Sequence, residues 1–196
     1  AVLIGFIAQR RKKKRSPDGE YSTVASPHRN SLTSGYSFEL DTFQVQAFDC
    51  IDAGESVLVA APTGSGKTVV AEYAIGLARK MGKRAFYTAP IKALSNQKFH
   101  ELVKLYGANE VGLLTGDNSI NAQAPIVVMT TEVLRNMIYA RSSNVDNLGV
   151  VVLDEVHFLQ DAYRGPVWEE VIIHLDPTVQ LVCLSATVSN ADELCE

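Results

Sequence analysis

Short hydrophobic runs alternate with amphipathic segments from residue 38 onward. The runs are rich in β-branched residues and are bounded by Gly, Pro, Asp or Asn, which is typical of buried parallel strands. The predicted strands are Val57–Ala60, Ala85–Thr88, Val111–Leu114, Ile126–Met129, Val150–Leu153 and Leu181–Leu184. Between them, helical spacing of apolar residues predicts helices over Thr68–Lys80, Ala93–Tyr106, Glu132–Ala140 and Pro166–His174. This alternation predicts an α/β fold with a mostly parallel sheet and helices on both faces, in which ligands bind beyond the carboxyl ends of the strands.

The first 35 residues lack this periodicity. The apolar run Ala1–Ala8 is far shorter than the roughly 20 residues that cross a bilayer. The basic run Arg10–Arg15 follows it, whereas a secretory signal has its charges first. We therefore predict a flexible tail over residues 1–35 and a folded domain over residues 36–196, and we assign no function to the basic run. The chain does not begin with Met, so we expect it to be a fragment or a processed product.

Composition is ordinary for one globular domain, with 196 residues, 46% hydrophobic and 20% charged. The net charge is −4, but six of the eighteen Lys and Arg residues lie in Arg10–Arg15. The remainder carries twelve basic against 22 acidic residues, a balance of −10. Any binding of nucleic acid must therefore depend on local sites and not on overall attraction.

Three cysteines are too few, and odd in number, for a disulfide framework. This indicates a reducing compartment, and we expect an intracellular protein, cytoplasmic in the first instance, with nucleus or plastid left open. No segment is long and apolar enough to predict a membrane partner.

The segment Ala61–Thr68, with sequence APTGSGKT, lies directly between a predicted strand and a predicted helix. It matches the P-loop pattern G-x-x-x-x-G-K-[ST], with Ala61 in place of the first glycine. Glycines let backbone amides face a phosphate, and the helix N-terminus adds its positive dipole end. We expect Lys67 to contact the β- and γ-phosphates of ATP and Thr68 to ligate Mg²⁺. The predicted nucleotide-binding residues are Pro62, Thr63, Gly64, Ser65, Gly66, Lys67 and Thr68.

The tetrapeptide Asp154–His157, with sequence DEVH, follows the apolar strand Val150–Leu153. Two carboxylates at the end of a strand predict that Asp154 holds Mg²⁺, commonly through water, and that Glu155 polarises an attacking water. Acidic residues are also favoured at helix N-termini, but a P-loop in the same chain favours the catalytic interpretation. We predict Lys67, Asp154 and Glu155 as the catalytic residues.

These motifs, together with Ser185-Ala186-Thr187 after the last strand, resemble motifs I, II and III of superfamily-two helicases. Other segments extend the resemblance, and they occur in the correct order. Phe38–Gln44 resembles the Q motif, and Thr88–Lys98 resembles motif Ia. Thr115–Asp117 and Thr130–Glu132 resemble the two following nucleic-acid-contact motifs, and Arg164–Glu170 resembles the stretch after DEVH. The last of these is similar to superkiller-like DExH-box RNA helicases. The resemblance covers about Tyr36 to Glu196.

The resemblance implies a RecA-like first domain of an ATP-dependent RNA helicase that moves 3′→5′ and, by the same resemblance, assists an RNA-degrading complex. It implies that Gln44 recognises adenine, with Phe43 or Phe38 shaping the pocket. It also implies that His157 links the nucleotide to Ser185 and Thr187. A core histidine is the alternative for His157, and we expect Trp168 to be a packing anchor.

The same resemblance implies contacts with the nucleic-acid backbone. Helix N-termini and basic side chains bind phosphates without reading sequence, although ordinary helix caps would have the same residues. The candidates are Pro90, Ile91, Lys92, Thr115, Gly116, Asp117, Thr130, Thr131 and Glu132, with Arg135 one turn later as a phosphate partner.

Nothing that resembles motifs IV to VI precedes Glu196, so the second RecA-like domain and its arginine finger are absent from the sequence. Such a finger contributes roughly 10³–10⁵ in rate. We expect the isolated chain to bind ATP weakly, to hydrolyse it very poorly and not to translocate. A DNA helicase of the same superfamily and a non-catalytic nucleotide- or RNA-binding fragment are the alternatives, and intact Lys67, Thr68, Asp154 and Glu155 disfavour the second.

Overall fold

The computed structural model describes residues 3–6, 25–157 and 165–186 of the chain. Within these residues the strands are β1 (Leu3–Phe6), β2 (Val57–Ala60), β3 (Arg84–Ala89), β4 (Val111–Thr115), β5 (Asn118–Ile120), β6 (Ile126–Thr130), β7 (Leu148–Leu153) and β8 (Gln180–Ser185). The helices are α1 (Arg29–Thr33), α2 (Thr42–Asp52), α3 (Lys67–Lys80), α4 (Lys92–Tyr106), α5 (Thr131–Tyr139) and α6 (Gly165–His174), with a 3-10 turn at Ser143–Val145. All six predicted strands and all four predicted helices are confirmed, with bounds that differ by at most two residues.

The described strands form one sheet in the order β1-β2-β8-β7-β3-β6-β4-β5. The six strands from β2 to β4 in this order pair in parallel, and β1 and β5 pair antiparallel at the two edges. Because parallel neighbours share a direction, β2, β8 and β7 have their carboxyl ends side by side at the same end of the sheet. We call this end the carboxyl edge, to distinguish it from the outer strands β1 and β5. The prediction of a mostly parallel α/β sheet is confirmed.

Alternation of side chains along the strands divides the core between the two faces of the sheet. On one face, Val57, Val59 and Val152 pack with α2, α3 and α4. On the other, Leu58 and Val151 pack with α5 and α6. Strands that are buried on both faces have continuous apolar sequences, and this is why the six core strands can be predicted from the sequence.

Helix α2 was not predicted, although its sequence carries the signals. Its buried residues Phe43, Ala47, Phe48 and Ile51 recur at helical spacing along one face. Asp41 caps its first turn in a capping box with Gln44 as the reciprocal partner. The segment therefore forms a core helix as well as carrying the Q-motif residues.

Ordered structure begins before residue 36. The Arg29 guanidinium on α1 lies 2.7 Å from Asp49 and 2.7 Å from Asp52, and the Ser26 amide donates to Asp52 at 2.7 Å. Leu32 packs over Gly76 of α3, where an added Cβ would lie 2.8 Å from Leu32 Cδ2. This differs from the prediction that a flexible tail extends to residue 35, since Ser26 and Arg29 bind the buried Asp52 carboxylate and Leu32 packs on α3.

Strand β1 is a second difference from that prediction. It pairs antiparallel with β2, with Leu3 opposite Ala60 and Phe6 opposite Val57. Residues Leu3–Phe6 thus cover the side of the sheet next to the P-loop strand β2. The basic run Arg10–Arg15 lies outside the described residues. In the described part of the chain, none of the helices has the length and apolar character needed to cross a bilayer.

Candidate nucleotide site and nucleic-acid edge

The P-loop connects β2 to α3, as the sequence predicts. The Ala61 amide donates to the Ser185 carbonyl at 3.2 Å, so the loop begins in register with the end of β8. Gly64 and Gly66 have φ of +83° and +84°, a left-handed conformation that disfavours any residue with a Cβ. Gly66 is the N-cap residue of α3. Both glycines are therefore required by the backbone of the loop.

Two side chains of the loop are oriented toward its interior. The Lys67 ammonium donates to the carbonyl oxygens of Ala61 and, at 2.9 Å, Pro62. The Ser65 hydroxyl is buried and has no hydrogen-bond partner among the described residues. A buried hydroxyl without a partner is costly, and a phosphate oxygen is an acceptor that would satisfy it. The loop therefore combines a cation, an unsatisfied donor and a helix N-terminus, a combination that suits a phosphate.

Asp154 lies at the end of β7, separated from the P-loop strand only by β8. Its amide donates to the Thr88 carbonyl at 3.0 Å, and its Oδ1 accepts from the Glu155 amide at 2.9 Å. Its Oδ2 accepts a hydrogen bond from the Tyr87 hydroxyl. Burial raises the pKa of Tyr87 well above its usual value, and the nearby Asp154 charge raises it further. The carboxylate is thus held through both of its oxygens, and the backbone of Asp154 is held by Thr88.

Glu155 has φ of +56°, one of four non-glycine residues with positive φ in the described part of the chain. Such a backbone costs on the order of 1–3 kcal/mol and is concentrated at functional sites. Its Oε2 lies 3.1 Å from His157 Nδ1.

The Ser185 hydroxyl, at the end of β8, donates to the Ala186 carbonyl at 2.6 Å. Thr187 lies outside the described residues, so the link between His157, Ser185 and Thr187 stays a prediction.

Gln44 lies against the P-loop. Its Nε2 donates to the Gly66 carbonyl at 3.1 Å, and its Oε1 accepts from the Asp41 amide at 2.9 Å. Of the two aromatic residues considered for the adenine pocket, Phe43 is buried in the core, whereas Phe38 is 50% exposed and stacks on Tyr36 at 5.2 Å between ring centroids. The structure brings Gln44 to the nucleotide loop, and its adenine role stays a prediction.

The predicted nucleic-acid segments lie side by side at the carboxyl edge of the sheet. Ala89 of β3 pairs with Thr130 of β6, and the Thr131 hydroxyl donates to the Ala89 carbonyl at 3.5 Å. Lys92, at the first position of α4, forms an ion pair with Asp117. The Thr115 hydroxyl also donates to Asp117, at 3.2 Å. Thus the three motifs form one continuous row, and the Lys92–Asp117 pair within it was not predicted.

Arg135 lies on α5 and Trp168 on α6, two helices that contact each other. The Arg135 guanidinium lies 3.7 Å from Glu170 Oε2 and hydrogen-bonds to Asn136 at 3.2 Å. Its role as a phosphate partner stays a prediction, because these contacts are internal to the domain. Trp168 is 1% exposed and belongs to the core on the face of the sheet that α5 and α6 cover, which confirms it as a packing anchor.

The described residues contain no group of three or more His, Cys, Asp and Glu that could hold a metal ion. Mg²⁺ commonly uses one or two carboxylates together with waters and substrate phosphates, and does not need a cage of protein ligands. Thr68 and Asp154 supply the hydroxyl and carboxylate oxygens that Mg²⁺ arriving with a nucleotide would use, and their role as its ligands stays a prediction.

A parallel sheet with a P-loop after one strand and an acidic pair after a nearby strand defines a P-loop nucleotide-binding domain of the RecA-like class. A sequence model of the DEAD/DEAH box helicase family matches residues 41–194, and the chain belongs to this family. Members of this family are ATP-hydrolysing helicases, which agrees with the site described above.

Three comparisons show how close the relatives are. The chain is 58% identical over 162 residues to the probable helicase HelY of Mycobacterium leprae, covering 83% of this chain and 18% of the relative. It is 48% identical over 180 residues to the exosome RNA helicase MTR4 of Mus musculus, covering 92% and 17%. A crystal structure of the DUF1998 helicase MrfA bound to DNA superposes with a TM-score of 0.69 at 25% identity, covering 86% and 27%. The chain thus spans less than a fifth of the length of HelY and of MTR4 and about a quarter of that of MrfA.

Proposed function

We propose that this chain is the first ATP-binding domain of an ATP-dependent RNA helicase. The single observation that carries the proposal is the shared edge of the sheet. At that edge the P-loop, the Asp154–Glu155 pair and the row of predicted nucleic-acid segments follow neighbouring strands. A site for nucleotide therefore adjoins a site for a polynucleotide, as an enzyme that couples hydrolysis to strand movement requires.

Each side chain has a distinct proposed task. Lys67 binds the β- and γ-phosphates, helped by the Ser65 hydroxyl, and Gln44 recognises the adenine. Thr68 and Asp154 hold Mg²⁺, which supplies positive charge beside the phosphates when it is bound. Glu155 accepts the proton of the attacking water, a task for which its position beside Asp154 suits it.

RNA is favoured over DNA as the polynucleotide. The chain is 48% identical to a helicase named for RNA, MTR4, and 25% identical to one crystallised with DNA, MrfA. The segments Lys92–Lys98 and Arg164–Glu170 carry the resemblance to RNA helicases of this group. We propose RNA as substrate, 3′→5′ movement and assistance to an RNA-degrading complex. A comparison of RNA with 2′-deoxy strands of equal sequence as activators of ATP hydrolysis distinguishes the two polynucleotides.

The test of catalysis uses the full-length protein with Glu155→Gln. The variant keeps the shape of the side chain but loses the base, so ATP turnover should fall by at least about 100-fold while ATP binding is retained. Glu169→Gln, on the exposed face of α6, is the matched control and should leave turnover unchanged. Unchanged turnover in Glu155→Gln would remove Glu155 from this role.

A second test addresses the isolated chain. We propose that residues 1–196 alone bind ATP weakly and hydrolyse it very poorly, because no arginine finger from a second domain completes the site. Single-turnover measurements on the chain and on the full-length protein make the comparison. Equal rates would show that the first domain is sufficient for hydrolysis.

A further inference from the structure

Beyond the predicted site residues, we infer that Tyr87 is a positioning residue that orients the Asp154 carboxylate for metal binding. Tyr87 lies on β3 and is 1% exposed. In the parallel register of β3 and β7 it stands opposite Val152, two residues before Asp154. Its hydroxyl donates to Asp154 Oδ2, so a buried side chain of the motif Ia strand contacts the acidic pair directly.

The remaining contacts of Asp154 show why this hydrogen bond sets its orientation. Oδ1 accepts from the Glu155 amide at 2.9 Å, and the Asp154 amide is bound to the Thr88 carbonyl at 3.0 Å. Each carboxylate oxygen can accept two hydrogen bonds or ligand contacts, so the contacts of the described residues leave one position on each oxygen for water or metal. Without the Tyr87 hydroxyl, Oδ2 loses the protein partner that it has among residues 25–157 and 165–186, and the carboxylate can rotate about its terminal torsion.

Tyr87 is itself held from the other side by α4. The Lys98 ammonium lies 5.4 Å from the centroid of the Tyr87 ring and is paired with Glu101 at 2.5 Å. A cation at this distance from an aromatic ring is attracted to its face. Tyr87 is therefore fixed between Asp154 and the helix that begins at Lys92. A phenol locked in this way can hold a metal-binding carboxylate in one orientation, as outer-shell partners of metal ligands do.

The inference rests on the proposed function, since it assumes that Asp154 binds the metal that accompanies ATP. The test compares Tyr87→Phe with Tyr73→Phe in the full-length protein. Tyr73 is also 1% exposed, and its hydroxyl donates to Asp52 at 2.6 Å. Each variant thus removes one phenolic hydrogen bond to a carboxylate and keeps the ring. The two differ in the carboxylate: Tyr87 contacts Asp154 of the candidate nucleotide site, whereas Tyr73 contacts Asp52 outside it.

Two quantities are measured for each variant and for the wild type. One is Mn²⁺ affinity in the presence of a non-hydrolysable ATP analogue, followed by electron paramagnetic resonance. The other is the Mg²⁺ concentration that half-saturates ATP hydrolysis. For Tyr87→Phe we expect Mn²⁺ affinity to fall roughly 10- to 100-fold, the half-saturating Mg²⁺ concentration to rise by a similar factor, and excess Mg²⁺ to restore turnover in part. Tyr73→Phe should leave both quantities at the wild-type values.

The outcomes separate the two proposals. Wild-type metal affinity in Tyr87→Phe, or an equal loss in both variants, overturns the positioning role of Tyr87. A wild-type protein that binds no Mn²⁺ with the ATP analogue and hydrolyses no ATP overturns the proposed function itself. Thermal unfolding of both variants identifies any loss of affinity that comes from a loss of folding.

Discussion

The side-chain amide of Gln44 donates a hydrogen bond to the carbonyl oxygen of Gly66 at 3.1 Å. The same side chain accepts from the Asp41 amide at 2.9 Å and so closes the first turn of α2. Gln44 therefore joins the start of a core helix to the glycine that begins the P-loop helix. A residue expected only to contact adenine is also a structural link between two elements.

We predict that Gln44→Ala weakens both nucleotide binding and the fold. The helix loses a capping partner and the Gly66 carbonyl loses its donor, which should lower the free energy of unfolding by about 1 kcal/mol. Affinity for ATP should fall more than affinity for GTP, because only adenine would lose its specific contact. Urea unfolding and fluorescent-nucleotide titration measure the two effects.

Gln46→Ala supplies the matched control for this prediction. Gln46 is an exposed glutamine of the same helix, two residues further along. Its replacement should change neither stability nor nucleotide affinity. Equal losses of ATP and GTP affinity in Gln44→Ala would remove Gln44 from the adenine pocket but leave its structural role intact.

The two P-loop glycines allow a test of the Gln44–Gly66 contact alone. Gly64 and Gly66 have nearly the same φ, so alanine at either position carries a similar backbone penalty of about 1–2 kcal/mol. An added Cβ at Gly64 meets nothing within 4 Å, whereas at Gly66 it lies 2.6 Å from Gln44 Nε2. We therefore expect Gly66→Ala to displace the Gln44 amide and to destabilise the domain more than Gly64→Ala.

A double-mutant cycle isolates that difference. In a Gln44→Ala background the clash is gone, so the cost of Gly66→Ala should fall to that of Gly64→Ala. Urea unfolding of the four variants gives the coupling energy. A cost for Gly66→Ala that is the same in both backgrounds would show that the Gln44 side chain yields without penalty.

Most of the fold could be predicted from sequence because its core strands are buried on both faces. Val57–Ala60 and Val150–Leu153 are continuous apolar runs of four residues rich in valine, and this length and composition favour a strand over a buried helix. Strand β1 and helix α1 could not be predicted in this way. Each is held by a partner distant in sequence: β1 by residues 57–60, and α1 by Asp49 and Asp52.

The residues of the candidate site likewise differ in whether they could be predicted from a local sequence pattern. The P-loop and the DEVH tetrapeptide have local patterns with a fixed chemical purpose, so their residues could be named in advance. Tyr87 could not, since a tyrosine in a buried strand is usually core and its partner Asp154 lies 67 residues away. The Lys92–Asp117 pair was likewise hidden, because it joins two motifs that contact each other only in the folded sheet.

Three tyrosines outside the site predict an alkaline limit to stability. Burial raises the pKa of Tyr36, Tyr73 and Tyr106, that of Tyr106 to about 12. A tyrosine whose pKa is higher in the folded than in the unfolded chain contributes to stability, and this contribution is fully present at pH values below the ordinary phenol pKa near 10. That contribution disappears as the pH rises through the folded pKa. We expect these groups to leave the free energy of unfolding constant from about pH 7 to 9 and to lower it above about pH 10.

Phenolate absorbance during a pH titration checks this prediction. The folded chain should retain protonated tyrosines at a pH where the same chain in urea is fully ionised. Tyr73→Phe, which removes one of the three groups, should reduce the alkaline loss of stability. A folded chain whose tyrosines all titrate with the unfolded midpoint would contradict the burial of these phenols.

The Lys92–Asp117 pair predicts that an acidic residue limits phosphate binding at the nucleic-acid edge. Asp117 is exposed, and the hydrogen bond from Lys92 lowers its pKa, so the pair persists at neutral pH. Asp117→Asn should free the Lys92 ammonium and raise the affinity of the full-length protein for single-stranded RNA about two- to five-fold at low salt, an effect that salt diminishes. Fluorescence anisotropy measures this affinity, and Lys92→Ala should abolish the gain.

Asp146→Asn is the control for this prediction. It removes the same charge at an exposed position before β7, at the amino ends of the parallel strands. An equal gain there would mean that net charge alone is responsible, and a loss in Asp117→Asn would mean that Asp117 itself contacts the RNA.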